Sequence, residues 1–312
     1  MRKAEPDSPH QPVLYHEIIS ALRPTRNRLY ADLTAGAGGH AWGILEASQP
    51  DGKLLGLEVD PQALSIARER LAPFGQRAIL IQASYTTLSS QLAGLDWPGL
   101  DGIVLDLGVS SLQFDTPERG FSFTHEAPLD MRFDPSAPLT AADIVNHWNQ
   151  QELADVLYRY GEERRSRHIA AAIIAARPIS TTTRLAQIVA RAARQSPKGR
   201  IHPATRTFQA LRIAVNHELD NLEAVLPQAV GALNPGGRLA VISFHSLEDR
   251  IVKRFFRSLS RDQYDDRQPV PQVARKASLQ LITRKPITPS QQEQSENPRS
   301  RSAKLRIVEK IG

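Results

Sequence analysis

Three carboxylates in this sequence stand at the ends of apolar runs, where an acid is expensive to bury unless something answers its charge. Asp32 closes Leu29-Tyr30-Ala31-Asp32-Leu33 and leads directly into Thr34-Ala35-Gly36-Ala37-Gly38-Gly39-His40. Glu58 lies near the end of Lys53-Leu54-Leu55-Gly56-Leu57-Glu58-Val59-Asp60. Asp106 sits within Gly102-Ile103-Val104-Leu105-Asp106-Leu107-Gly108-Val109-Ser110-Ser111, and Gln113 follows closely. Gly36, Gly38 and Gly39 have no Cβ, so the backbone there can turn sharply and approach a ligand. An acid about 20 residues beyond such a turn is placed to hold ribose hydroxyls, which fits Glu58. Tyr85 follows a further apolar run, Ala78 to Ala83, and either stacks on an adenine or fills the core; the sequence leaves both open.

The elements that must position these side chains form a βαβ unit. Leu29 to Leu33 reads as a strand, Ala41 to Ala47 as a helix and Lys53 to Asp60 as a second strand, with a ligand crevice at the strand ends. Two ligand classes fit. Gly36-x-Gly38-x-x-Ala41 matches the dinucleotide fingerprint. S-adenosylmethionine (SAM) enzymes use the same crevice and place an acid just before the turn, where Asp32 stands. An anion there meets the positive end of SAM favourably and crowds a pyrophosphate. The acid favours SAM, and the fingerprint keeps a nicotinamide dinucleotide open.

The chain beyond this unit divides by pattern. Asp60-Pro61 caps and starts a helix whose buried stripe is Leu64, Ala67 and Leu71. Regular βα alternation stops after Ser111. Phe114 to Pro138 reads as an ordered loop, and Ala141 to Ala193 as helices broken at Pro178 and Thr181–Thr183, with Ile144, Leu153, Val156, Leu157, Ile169, Ile173, Ile174, Leu185, Ile188 and Val189 in a small core. His202 to Gln209 opens a long helix striped by Phe208, Leu211, Val215, Leu219 and Leu222. Arg206, Gln209, Arg212 and Asn216 cluster beside that stripe, facing a cleft or solvent. Arg238 to Phe244 is a fifth strand, and His245-Ser246-Leu247-Glu248-Asp249-Arg250 is a crevice loop and helix start. Adjacent residues there do not build a hydrolytic triad. Arg257 to Val273 reads as a polar, mobile connection. Leu279–Arg284 and Ala303–Glu309 are a closing strand pair, usual in SAM-dependent methyltransferases and unusual in dinucleotide folds.

Composition bounds the class. The 312 residues allow roughly two domains, and 41% hydrophobic with 23% charged content is ordinary for a globular protein. There is no apolar run of the ~18 residues that span a membrane and no signal-peptide core in Met1–His10, so a cytoplasmic location is expected. There are no cysteines, which excludes disulfides, thiolate metal sites and a cysteine nucleophile. The formal charge is +6, but Arg164 to His217 contains no acid and eleven basic residues, Arg164, Arg165, Arg167, Arg177, Arg184, Arg191, Arg194, Lys198, Arg200, Arg206 and Arg212, so the remainder is net acidic. A basic segment on an acidic body points to a phosphate-rich partner.

Several blocks, in order from about His10 to Lys310, resemble one family: the bacterial 16S rRNA cytosine-N4 methyltransferases, also called the ribosomal RNA small subunit methyltransferase H or MraW family. They include Pro12-Val13-Leu14, Gly38-Gly39-His40, Leu105-Asp106-Leu107-Gly108-Val109-Ser110-Ser111, Glu118-Arg119-Gly120-Phe121-Ser122-Phe123, Leu129-Asp130-Met131-Arg132, Tyr160-Gly161-Glu162-Glu163-Arg164, His202-Pro203-Ala204-Thr205-Arg206-Thr207-Phe208-Gln209-Ala210, Ser243-Phe244-His245-Ser246-Leu247-Glu248-Asp249-Arg250 and Asn297-Pro298-Arg299. The resemblance implies an α/β fold: a Rossmann-like SAM-dependent methyltransferase sheet with a closing antiparallel strand pair, plus an inserted all-helical subdomain. The division expected is a methyltransferase domain over residues 1–112 and 205–312, with the inserted loop and helical subdomain at 113–204.

It also implies SAM as methyl donor and a decoding-region cytidine of 16S rRNA as target. Cofactor contacts map to Gly38, Gly39, His40, Glu58, Tyr85, Asp106 and Gln113. Glu58 stands where Asp is common in the family, and either carboxylate accepts ribose hydroxyls; Tyr85 stands where Phe is common and keeps a stacking face. The absence of cysteine agrees with N4 rather than C5 methylation, since attack by the amine needs no covalent adduct. The signature of DNA amino-methyltransferases, an Asp/Asn/Ser-Pro-Pro-aromatic run after the fourth strand, is absent. Asp106 and Ser110 are the expected catalytic residues. Arg164, Arg165, Arg167, Arg206, Gln209 and Arg212 are expected on the RNA, and no metal is expected. The expected partner is 16S rRNA within the small ribosomal subunit, with a homodimer allowed and no membrane.

Overall fold

The computed structural model describes residues 12–193, 202–265 and 272–312. Most of the N-terminal lead-in and Arg194, Lys198 and Arg200 of the basic run lie outside the described residues. The chain folds as two units, Met1–Gly108 with Leu219–Gly312, and Val109–Glu218.

The first unit is built on a seven-stranded sheet. Its first half contributes α1 (Tyr15–Leu22), β1 (Leu29–Asp32), α2 (Gly39–Ala47), β2 (Lys53–Glu58), α3 (Pro61–Leu71), β3 (Ala78–Gln82), α4 (Leu88–Gly94) and β4 (Leu100–Asp106). The second unit carries α5 (Ser111–Asp115), α6 (Ala141–His147), α7 (Gln150–Gly161), α8 (Ser166–Ala175), α9 (Thr182–Ala193) and α10 (Ala204–Asn216). The chain then returns through α11 (Glu218–Ala232), β5 (Leu233–Ser243), α12 (Ser246–Leu259), β6 (Gln263–Asp265), β7 (Gln272–Arg275), β8 (Leu279–Leu281), α13 (Gln291–Glu296) and β9 (Lys304–Lys310).

Strand order is β3-β2-β1-β4-β5-β9-β8. The first five strands are parallel, and β9 runs antiparallel to both β5 and β8. This is the sheet the sequence leads one to expect, closing pair included. Its central strands are the near-continuous apolar runs that a parallel sheet covered on both faces requires. Leu55, Ile103, Leu105, Leu239 and Val241 are fully buried in one core layer, and Leu54, Val104, Ala240 and Ile242 in the other. Between β1 and β4 the strand order reverses direction, and the carboxyl ends of these two strands open the crevice where α/β sheets bind ligands. Asp32 ends β1 and Asp106 ends β4.

Local chemistry explains the element starts. Asp60 caps α3 by accepting the Gln62 N–H at 3.0 Å, with Pro61 in the first turn. His245 caps α12 in a reciprocal box with Glu248. Leu64, Ala67 and Leu71 are the buried stripe of α3, as the spacing predicts.

The second unit has its own core of α6–α10 and the preceding loop. That loop is ordered, as expected. Arg119 donates to the carbonyls of Arg132 and Phe133 at 2.8 and 2.9 Å, and Arg132 is paired with Asp130 at 2.6 Å. Asn216 of α10 accepts the Phe133 N–H and donates to the Met131 carbonyl, both at 2.7 Å.

Three readings of the sequence are corrected. The long helix after His202 is two helices: α10 ends at His217, which adopts φ 51° and donates its N–H to the Ile213 carbonyl. Histidine takes this left-handed conformation more readily than most non-glycine residues, and no glycine or proline marks the stop. The apolar stripe therefore serves two cores, with Phe208, Leu211 and Val215 in the helical unit and Leu222 under the sheet. For the same reason the inserted unit runs over 109–218 rather than 113–204: α10 packs with the helices before it. In the stretch read as a polar, mobile connection, α12 continues to Leu259, and β6 pairs antiparallel with β7.

Candidate active site

The glycine-rich turn is held by backbone and by one carboxylate. Ala35 N–H donates to the Leu57 carbonyl at 2.9 Å, and Gly38 N–H to the Ala35 carbonyl at 2.7 Å. Gly36 and Gly38 have φ 51° and 81°, the left-handed region that glycine enters without strain. The three glycines turn out to serve different ends. A Cβ on Gly38 would press on Leu71 at 3.3 Å, and one on Gly39 would lie 2.2 Å from Pro12 Cγ. Only a Cβ on Gly36 would meet open space, with the Thr34 carbonyl oxygen at 3.9 Å as its sole neighbour. Gly39 is thus the seat of Pro12, a link between the first block of the sequence and the turn that spacing alone does not reveal. Glu58 accepts the Gly36 N–H at 2.8 Å with one oxygen and the Asp60 N–H at 2.9 Å with the other. It clamps the turn to the end of β2, and burial raises its pKa above the ordinary carboxylate value.

Asp32, His40 and Asp106 meet at the carboxyl ends of β1 and β4 and the start of α2. Asp32 is 1% exposed and His40 4%. Asp32 Oδ1 accepts the Thr34 N–H at 3.2 Å, and Thr34 Oγ1 in turn accepts the Asp106 N–H at 2.6 Å. His40 Nε2 lies 3.5 Å from Asp106 Oδ2, and the Tyr15 ring stacks on the imidazole at 6.3 Å between centroids. Asp32 Oδ2, both His40 ring nitrogens and Asp106 Oδ1 are buried with no hydrogen-bond partner. Buried polar atoms are nearly always partnered, so such a concentration marks a place built for a ligand. No lysine or arginine among the described residues pairs with either aspartate. The donor set therefore suits a ligand that brings its own positive charge, with the open face of Gly36 and the Glu58 carboxylate beside it for hydroxyl groups.

Burial pushes the Asp32 carboxyl up to about 6, against the pull of His40 and the Thr34 N–H. The folded state thus keeps a proton that the unfolded chain has already released, and stability falls as pH rises from about 4 to about 6. Above that window the ionised carboxylate costs roughly 3 kcal/mol, from about two pKa units at about 1.4 kcal/mol each. Asp32→Asn removes this cost. The variant is expected to melt several degrees higher than the parent at pH 7.5 in a thermal scan and to lose that advantage at pH 4.

The other expected cofactor and catalytic positions have these surroundings. Tyr85 follows β3, half-buried against the sheet core. In the second unit Ser110 is the cap of α5: its hydroxyl accepts the Gln113 N–H at 3.2 Å, and Gln113 Oε1 accepts the Ser110 N–H at 3.1 Å. The two side chains predicted as catalytic and cofactor-binding form a capping box.

The expected RNA-contacting residues separate into two kinds. Arg164, Arg167 and Arg206 are exposed, as are Arg184 and Arg191 of the same segment. The remaining three are engaged inside the unit. Arg165 donates to the Ala193 carbonyl at 2.5 Å, and Gln209 to the Tyr160 carbonyl at 2.9 Å. Arg212 binds Glu218 with two nitrogens at 2.7 Å, at 16% and 6% side-chain exposure. Beside the apolar stripe of α10, Gln209 meets α7 and Arg212 meets the first residue of α11, while Arg206 stays exposed.

Sequence reasoning placed Asp32 before the turn but not among the site residues. Its signal was present, an acid at the end of an apolar strand. Pro12 carried no such signal.

A family model described as the MraW methylase family matches residues 7–311. The chain is 50% identical over 307 residues to the ribosomal RNA small subunit methyltransferase H of Dehalococcoides mccartyi, covering 97% of this chain and 87% of the relative. Proteins of the same name from Geotalea daltonii and Geobacter sulfurreducens are also 50% identical, over 98% and 97% of this chain and 99% of each relative.

Proposed function

The chain belongs to the MraW methylase family, and from that premise and the crevice geometry we propose that it is a SAM-dependent methyltransferase acting on N4 of a cytidine in the decoding region of 16S rRNA. The observation that carries the reading is the group of buried, unpartnered oxygens and nitrogens of Asp32, His40 and Asp106 at the β1/β4 switch. A sulfonium with a ribose answers this donor set better than a pyrophosphate, which two carboxylates would repel.

When bound, SAM supplies a methyl group on a positively charged sulfur. Everything else falls to the chain. Glu58 and the Gly36 turn hold ribose; Tyr85 offers a ring to the adenine; Asp32 and Asp106 set a negative field around the sulfur. Asp106 accepts a hydrogen from the target amine, fixing its direction of attack, so that effective concentration replaces a covalent intermediate. That the chain contains no cysteine agrees with an amine rather than a ring carbon as acceptor.

The partner is rRNA in the small ribosomal subunit, met by exposed Arg164, Arg167 and Arg206. Replacing these three by glutamine is expected to weaken RNA binding and to reduce the slope of log affinity against log salt by about 2 to 3. An unchanged slope would remove them from the interface. No helix among the described residues is long and apolar enough to cross a membrane, which fits the proposed cytoplasmic work on ribosomal particles.

The test of function is transfer of labelled methyl from SAM to unmodified small subunits, with naked 16S rRNA and DNA alongside, followed by nucleoside separation. Label in N4-methylcytidine from the subunits is expected. Label in another nucleoside would move the acceptor, and SAM binding without transfer to any of the three would sink the enzymatic reading.

A further inference from the structure

The crevice holds three titratable side chains where charge balance with one cationic ligand needs fewer. Asp32, His40 and Asp106 come from β1, α2 and β4, and four of their polar atoms are buried without a hydrogen bond. The only separation short enough for an ion pair among them is the 3.5 Å between His40 Nε2 and Asp106 Oδ2. Among the described residues, no lysine or arginine pairs with either aspartate. From α1 comes the Tyr15 ring, stacked on His40. From β2 comes Glu58, whose oxygens are turned to the Gly36 and Asp60 N–H groups. Beyond β5, His245 and Glu248 pair with each other at 3.2 Å.

We infer that Asp32, His40 and Asp106 act as one proton-sharing group, carrying two negative charges toward a sulfonium and one, after uptake of a single proton, once that positive charge is gone. This rests on the SAM-dependent amine methylation proposed above. In that reaction the nitrogen lone pair forms the new carbon–nitrogen bond, and the electrons of the broken carbon–sulfur bond stay on sulfur. Positive charge passes to the nitrogen and must leave it as a proton. Asp106, with 24% of its side chain exposed, is the member that can take it. His40 and Asp32 lie behind it, fully buried, and act through it as positioning residues: the imidazole, close to the Asp106 carboxylate, shares the proton, and the second carboxylate holds the resulting charge. The raised affinity of Asp32 for protons suits this use. Proton uptake then compensates the loss of the sulfonium, so substrate and product complexes of the cofactor differ in protonation by one.

Calorimetric titration of the full chain with SAM and with S-adenosylhomocysteine, at pH 6.5 in two buffers of different ionisation enthalpy, reads this directly. Binding of S-adenosylhomocysteine is expected to take up about one more proton than binding of SAM. By linkage, the ratio of S-adenosylhomocysteine affinity to SAM affinity should rise by tens of fold, up to about 100-fold, from pH 7.5 to pH 5.5. Both Asp32→Asn and His40→Gln should abolish the difference while still binding S-adenosylhomocysteine. Equal proton counts for the two ligands in the parent protein would overturn the inference, as would a full difference surviving in both variants. If neither ligand binds, the methyl-donor reading itself fails; binding without the proton difference defeats this inference alone.

Discussion

Asp106→Asn is expected to lower methyl transfer by about 10²- to 10⁴-fold, the range a positioned proton acceptor contributes, with the protein still folded. The position of the residue separates the two effects. Its backbone N–H is bound by Thr34 Oγ1 at 2.6 Å, and this bond survives the substitution. Its carboxylate holds no structural bond: Oδ1 is buried without a partner, and Oδ2 stands 3.5 Å from His40. Asparagine keeps the shape and removes the charge, so the melting temperature should hold or rise. The measurement is single-turnover transfer at saturating cofactor beside a thermal scan. Activity within tenfold of the parent would take Asp106 out of the chemistry, and a collapse in melting temperature would reassign it to the fold.

Arg212→Ala is expected to cost about 3–5 kcal/mol of stability, because it leaves Glu218 buried and uncompensated. The pair is bidentate at 2.7 Å and mostly shielded from water, and it bridges the left-handed turn at His217 that ends α10. A surface pair would contribute under about 1 kcal/mol, so the size of the loss decides between the two accounts. Replacing both partners, as Arg212→Met with Glu218→Leu, should recover most of it, since a buried ion pair gains little over apolar residues of similar volume. Urea unfolding of the three proteins makes the comparison. Arg212 and Arg206 share a helix, yet only the Arg206 change should flatten the salt dependence of RNA binding.

Much of the framework could be read from residue order. The apolar runs ending in Asp32, Glu58 and Asp106 became adjacent parallel strands, and Asp60-Pro61 became a helix start. These features are local: a buried parallel strand needs continuous apolar side chains, and a cap needs one oxygen two or three residues before a free N–H. The helix break at His217 was not legible, because nothing in a run of good helix formers forces a left-handed residue; the stop is fixed by which core claims Val215 and which claims Leu222.

The basic segment makes the same division sharper. Its composition is what suggests a phosphate-rich partner, since eleven cations without an acid in 54 residues is a property of the chain itself. Only the tertiary structure decided which cations are available. Arg165 and Arg212 lie in the same run as Arg164 and Arg206, but a carbonyl and a buried carboxylate hold the first two. The crevice follows suit. The sequence determined that glycines and acids would stand at strand ends. That Gly39 receives Pro12, and that Asp32, His40 and Asp106 converge with their polar atoms unanswered, depended on strand order. Periodicity along a chain gives the direction in which a side chain points, whereas the neighbour it meets there comes from another element, brought alongside only when the whole sheet has closed.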